Sequence, residues 1–144
     1  MEREFTNALA SIPLWQYAIN VYPHHQADLL HWQASQNASV NILLALAFAQ
    51  HNQQRLPTQW WRYPPFSRAQ SLTRRIRSLR QTAKGEAYYP QLKDWELMME
   101  GVEIQLLQSM MLPGDCQSNI AEYTQCLKLK KGALAPFIDT LANC

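Results

Sequence analysis

Residues 40–50 read VNILLALAFAQ, and this stretch decides the fold. From Ile42 to Ala49 every residue is apolar, so the segment has no polar face at either the helical or the strand period. A helix that is apolar all round is stable in water only when other elements surround it. Leu and Ala outnumber β-branched residues here, which favours helix over strand, and either Asn37 or Ser39 stands where an N-cap is needed. The stretch therefore predicts a central buried helix from Val40 to about Gln53. It is far shorter than the roughly 20 apolar residues that cross a bilayer, so no transmembrane helix is expected.

The flanking segments read as amphipathic helices that wrap this centre. Ser11, Ile12 and Pro13 form a helix entry, since a first-turn proline lacks only an N–H that has no intrahelical acceptor. The helix that follows places Trp15, Ala18, Ile19 and Tyr22 on one stripe and is expected to stop at Pro23. A second, about His24 to Gln36, carries Ala27, Leu30 and Ala34. Downstream, Pro57, Pro64 and Pro65 bracket a short segment containing Trp60, Trp61 and Tyr63. A helix from Phe66 to about Lys84 repeats Leu72, Ile76, Leu79 and Ala83, and one from about Pro90 to Met111 repeats Leu92, Trp95, Met99, Val102 and Leu106. These heptad-like stripes and the short connection predict an antiparallel hairpin. Ser118 to Leu129 and Leu134 to Leu141 read as two short helices. With four glycines in 144 residues and no sustained alternation, strand signals are weak. The expected fold is all-α: a single compact helical domain over residues 1–144 with a long antiparallel hairpin.

The formal net charge of +2 conceals a segregated pattern. No acid occurs from Leu29 to Gly85, a block holding eight cations from Arg55 to Lys84, whereas residues 86–122 hold seven acids and only Lys93 as cation. Such a balance excludes the overall basicity of a dedicated nucleic-acid binder. The plainest reading is internal pairing, with the Arg-rich helix (66–84) and the acidic helix (86–103) flanking one seam. Arg74 is expected to point outward. The functional reading makes Arg74, Arg75, Arg77 and Arg80 a surface for an acidic protein or for phosphates, because guanidinium donates to such groups in bidentate fashion.

Other candidates are sparser. His24, Asp28 and His31 share a helical face at i, i+4 and i+7, but three ligands along one straight helix span too far for a single metal ion, so they read as surface residues. Gln33 and Asn41 are amides within apolar surroundings, and buried amides need partners. They either tie the second helix to the third or, together with Trp15 and Tyr22, face a ligand between helices. On the plainer reading Trp15, Tyr22, Trp32, Trp60 and Trp61 are core and rim. No Ser–His–Asp or Cys–His signature, glycine-rich phosphate loop or paired-carboxylate arrangement with a cleft is read, so catalysis has no positive sequence support and no cofactor is expected. Cys116, Cys126 and Cys144 are odd in number and lack metal-ligand spacing. With acids rather than cations at Glu2 and Glu4 and no apolar segment behind them, the expectation is a cytoplasmic protein with free thiols.

Several of these residues carry a resemblance. Leu14, Trp15, Gln16, Tyr17 and Ala18 through Tyr22 and Pro23, then Leu30, Gln33, Val40, Asn41, Ile42, Leu43 and Leu44, continue into Trp61 to Lys84 with Leu72, Arg75, Leu79 and Arg80. Lys93, Glu96, Leu97 and Glu100, and later Asn119 and Tyr123, extend the pattern. The whole resembles an uncharacterised, mostly proteobacterial family of short proteins with a domain of unknown function. The resemblance implies a cytoplasmic bacterial helical protein and no established activity. The sequence departs from it at Ser39, where an Asp is expected, and at His24 and His25, which weakens the metal reading further. The leading expectation is thus a small binding or adaptor protein that uses the two charged helices. The alternative is an enzyme or ligand-binding protein with an interhelical pocket near Gln33 and Asn41, and RNA or phosphate binding comes third. Homodimerisation through the hairpin is compatible with each.

Overall fold

In the computed structural model, which describes residues 9–143, the apolar run forms the helix at the centre. Met1–Phe5, read above for a signal, and Cys144 lie outside the described residues. In chain order the helices are α1 (Pro13–Gln36), α2 (Val40–His51), α3 (Pro64–Thr82), α4 (Tyr89–Met110), α5 (Gln117–Cys126) and α6 (Ala135–Ala142). A single 3-10 turn, Trp60–Arg62, and two short strands, β1 (Gln54–Arg55) and β2 (Leu112–Pro113), complete the described elements.

Every residue of α2 from Ile42 to Ala49 is buried, because α1, α4, α5 and α6 all pack on it. Ser39 is its N-cap, accepting a hydrogen bond from the Ile42 N–H at 3.3 Å. Asn37 does a different job, ending α1 in the left-handed conformation (φ 56°) that asparagine tolerates. Around this centre the ends of the bundle are tied by specific contacts. The Tyr17 hydroxyl donates to the Leu141 carbonyl at 2.9 Å, and Trp32 stacks on Phe137 with ring centroids 5.6 Å apart. Gln108 caps the start of α1 by accepting from the Leu14 N–H at 2.9 Å.

Pro23 does not end the first helix. The two segments expected there are one helix bent at His25, whose φ of −132° and ψ of 18° leave the helical region. Proline removes one backbone donor and crowds the preceding turn, which kinks a helix when packing holds both halves in place. Here Leu14, Ala18 and Val21 before the kink and Leu29 after it are all buried, so both halves are anchored. Ala27, Leu30 and Ala34, the stripe expected inside, are exposed instead.

The hairpin forms as expected from α3 and α4, the most extensively packed pair of elements, but its seam is rotated. The buried residues of α3 are Phe66, Ala69, Thr73 and Ile76; on α4 they include Leu92, Glu96, Glu103, Ile104 and Leu107. Leu72, Leu79 and Trp95, expected in the seam, are 45%, 57% and 48% exposed. The helical period places them on the side of the hairpin away from Arg77 and Glu100.

Two features escaped the periodicity. β1 and β2 pair antiparallel, Gln54 opposite Pro113 and Arg55 opposite Leu112, and the Gly114 N–H adds a bond to the Gln53 carbonyl at 3.0 Å. Gly114 has φ +147°, and a Cβ there would meet the Arg55 side chain at 2.6 Å, so the position calls for glycine. Nearby, buried Asn119 of α5 acts as a backbone surrogate. Its Oδ1 accepts from the Leu56 N–H at 2.9 Å and its Nδ2 donates to the Leu56 carbonyl at 2.8 Å. Asn119→Ala strands both buried groups, and each unpaired group costs about 1–3 kcal/mol. Urea unfolding of N119A should therefore show a loss of about 3 kcal/mol, whereas a loss within about 0.5 kcal/mol would contradict this role.

Candidate functional site

The rotated seam has a consequence for the interior. Leu92, Glu96, Glu100, Glu103 and Leu107 recur at spacings of four and three along α4, so three carboxylates occupy the stripe that would ordinarily be apolar. On α3 the matching stripe brings Thr73, Arg77 and Arg80 to meet them. Arg77 donates through Nε to Glu96 Oε1 at 3.1 Å and through Nη2 to Glu100 Oε1 at 3.2 Å. Arg80 donates through Nε to the other oxygen of Glu96. One carboxylate and two guanidiniums thus form a chain across the hairpin, with Glu100 at its open end.

Glu103 is held differently. No arginine lies in ion-pair contact with it among the described residues; its Oε2 sits 2.6 Å from the Thr73 hydroxyl, and the Asn41 side chain also hydrogen-bonds it. The same Thr73 hydroxyl lies 2.9 Å from the Ala69 carbonyl. A hydroxyl carries one proton, so donation to both acceptors is a shared three-centre bond, weaker at each. Both contacts are satisfied when Glu103 is protonated and donates to Thr73, leaving Thr73 to donate to Ala69. In agreement, burial pushes the Glu103 pKa up against the opposing hydrogen bonds from Thr73 and Asn41. Burial likewise raises Glu100, only partly offset by Arg77.

This polar wall does not close against a hydrophobic core. It faces a cleft of about 970 Å³ whose other wall is apolar. Both halves of the bent α1 contribute: Trp15, Ile19 and Tyr22 before the kink, Leu30 and Gln33 after it. Val40, Asn41 and Leu44 of α2 form the floor. Arg74, Gln70 and Gln81 of α3 and Leu97 of α4 line it as well, with Arg74, Gln81, Leu97, Ile19 and Leu30 exposed around the mouth. The floor is fixed from behind by Tyr123 of α5, whose hydroxyl accepts from the Ser39 N–H at 2.8 Å; burial pushes the Tyr123 pKa up to about 12, so it stays a phenol.

The structure therefore brings Trp15, Tyr22, Gln33 and Asn41 to one cavity, together with Arg74, Arg77 and Arg80. Arg74 is exposed as expected but stands at the cleft mouth, while Arg75 is exposed and does not line it. Asn41 bonds across to α4, and Gln33 has no protein hydrogen-bond partner among the described residues. His24, Asp28 and His31 are all exposed, the kink at His25 interrupts the face they were expected to share, and no group of three or more His, Cys, Asp or Glu among the described residues is placed to hold a metal. Glu96, Glu100, Glu103 and Thr73 were not singled out as site residues from the sequence. Their signal was there, since all three acids fall on the stripe defined by Leu92 and Leu107.

An acid whose folded pKa lies above its unfolded value binds protons more tightly when folded, so stability falls as pH rises from the unfolded value through the folded one. Glu100 and Glu103 thus cost stability at neutral pH. Glu103→Gln reproduces the protonated form, its amide able to donate to Thr73. E103Q should exceed the wild type in stability at pH 7.5 and match it near pH 4. Arg77→Met leaves Glu96 and Glu100 short of a partner and should cost about 3 kcal/mol at pH 7.5. Thermal unfolding at both pH values checks the two signs; destabilisation by E103Q at pH 7.5 would contradict them.

No curated protein and no solved structure matches the chain. A family profile described as a protein of unknown function, DUF2390, matches residues 13–107. That span opens at the first residue of α1, closes in the last turn of α4 and contains every residue lining the cleft. It agrees with the resemblance carried by the motifs from Leu14 to Glu100. The chain belongs to this family of proteins of unknown function.

Proposed function

We propose that the protein binds a small molecule in the cleft between α1, α2 and the α3–α4 hairpin. One observation carries this reading: a charged wall and an aromatic-apolar wall face one another across about 970 Å³ instead of packing together. Ligand sites have this character, being concave, largely apolar and a few hundred to about 1,000 Å³ in volume, with a few placed polar groups. Buried ion pairs are weak contributors to stability, so stability alone does not account for them here. Catalysis is not part of the proposal.

The proposal sets the protein in a reducing bacterial cytoplasm. Support comes from the free thiols of Cys116 and Cys126, from the family resemblance, and from the finding that no described helix is long and apolar enough to cross a membrane. A protein-binding role draws on a different observation, the exposed Leu72, Leu79 and Trp95 on the outer face of the hairpin. It no longer draws on Arg77 and Arg80, whose guanidiniums are engaged by Glu96 and Glu100. For phosphate or RNA binding the same loss leaves Arg68, Arg74 and Arg75 as the exposed arginines of α3.

A neutral solvatochromic dye, Nile red, tests the cleft without prejudging charge. Binding should be stoichiometric, with blue-shifted emission. Ala34→Trp, at an exposed lining position, and Ile19→Glu, at the mouth, should each weaken it about tenfold or more while leaving the far-UV spectrum and Tm unchanged. Absence of stoichiometric binding, or binding unaffected by both variants, would contradict the proposal.

A further inference from the structure

The polar groups of the cleft divide into those already engaged and those left open. Glu96 accepts from two arginines, Glu100 from one, and Glu103 is satisfied by Thr73 and Asn41. The charges of Arg77 and Arg80 are paired with these acids through Arg77 Nε and Nη2 and Arg80 Nε. Arg74 makes no ion pair or hydrogen bond among the described residues, and the amides of Gln33, Gln70 and Gln81 make none either. Gln70 and Arg74 are one turn apart on α3 and Gln81 lies two turns beyond Arg74, so all three share its cleft side, while Gln33 faces them from α1. The Asn37 amide and the Tyr22 hydroxyl are open in the same way, so among the described lining residues Arg74 is the one charged group without a partner, and the open charge is positive.

Across from them lies an apolar wall of Trp15, Ile19, Leu30 and Leu44. We infer that the ligand is an anionic amphiphile, with a carboxylate or phosphate head hydrogen-bonded by Arg74 and an apolar body laid along Trp15, Ile19 and Leu30. Guanidinium matches both head groups in bidentate fashion. A cationic head would meet an unpaired like charge at Arg74 and carboxylates already committed to other donors. This inference rests on the cleft being a ligand site and adds the chemistry of what it takes.

Displacement of Nile red by decanoate, decyl phosphate, decanol and decylamine, all below their micelle concentrations, separates the two claims. The two anions should compete at least about tenfold more strongly than decanol, and decylamine should be the weakest; their order relative to each other identifies the preferred head group. Arg74→Gln should bring the anions down to the level of decanol without changing decanol itself, whereas Arg75→Gln, outside the cleft, should change nothing. Dye displaced equally by decanol and the anions, or best by decylamine, would overturn the anionic head while leaving the cleft intact. An anion preference that survives R74Q, or that R75Q reduces as much as R74Q does, would overturn the role of Arg74. Failure of every amphiphile to displace a dye that does bind would also overturn the inference.

Discussion

A carboxylate inside a protein must be paired, hydrogen-bonded or protonated, because the cost of removing it from water is otherwise several kcal/mol. α4 carries two such groups, Glu96 and Glu103, with half-buried Glu100 between them on its inner stripe, and much of the site's arrangement follows from how they are accommodated. Arg77 and Arg80 must lie on the facing side of α3, Thr73 and Asn41 must meet Glu103, and bulky apolar side chains cannot fill the space in front of this wall without stripping its remaining hydration. The hairpin seam is therefore only partly hydrophobic, and the cleft opens where a conventional bundle would place leucines.

The apolar residues displaced from that role are used in two ways. Trp15, Ile19, Tyr22 and Leu30 of α1 form the opposite wall of the cleft, while Leu72, Leu79 and Trp95 are left on the outer face of the hairpin. α2 makes this affordable: its buried run, capped by Ser39 and surrounded by four helices, supplies the core on which α1 and the hairpin rest. The bend after Pro23 belongs to the same design, since both halves of α1 must reach the cleft while Leu14 and Leu29 stay buried.

These relations explain what could be read from the sequence. The central helix was legible because VNILLALAFA leaves no alternative to full burial, and the hairpin because its two stripes share a period and a short connection. The direction of each amphipathic face was harder to read. Periodicity locates stripes, but on α3 the apolar stripe through Leu72 and Leu79 adjoins the one through Ala69 and Thr73, and only the positions of the acids on α4 select between them. Pro23 signals a break in hydrogen bonding; whether the chain turns away or merely bends depends on packing between distant residues such as Trp32 and Phe137. The paired strands are two residues each, too short to leave a pattern. Of the site, Trp15, Tyr22, Gln33 and Asn41 were visible as aromatic and amide residues in apolar surroundings. Glu96, Glu100 and Glu103 were read as part of an acidic block flanking an apolar seam and pairing with the Arg-rich helix, because acids seldom occupy the seam itself.

The account depends on these acids being interior, and their titration reports it directly. In a carboxyl-13C NMR titration of the wild-type protein, the Glu103 carboxyl should have its midpoint above the 4.5 of an unperturbed glutamate, with Glu100 displaced in the same direction. A Glu103 midpoint at or below 4.5 would mean that its carboxylate is solvated or paired in a way this structure does not contain, and the charged wall of the cleft would have to be rebuilt.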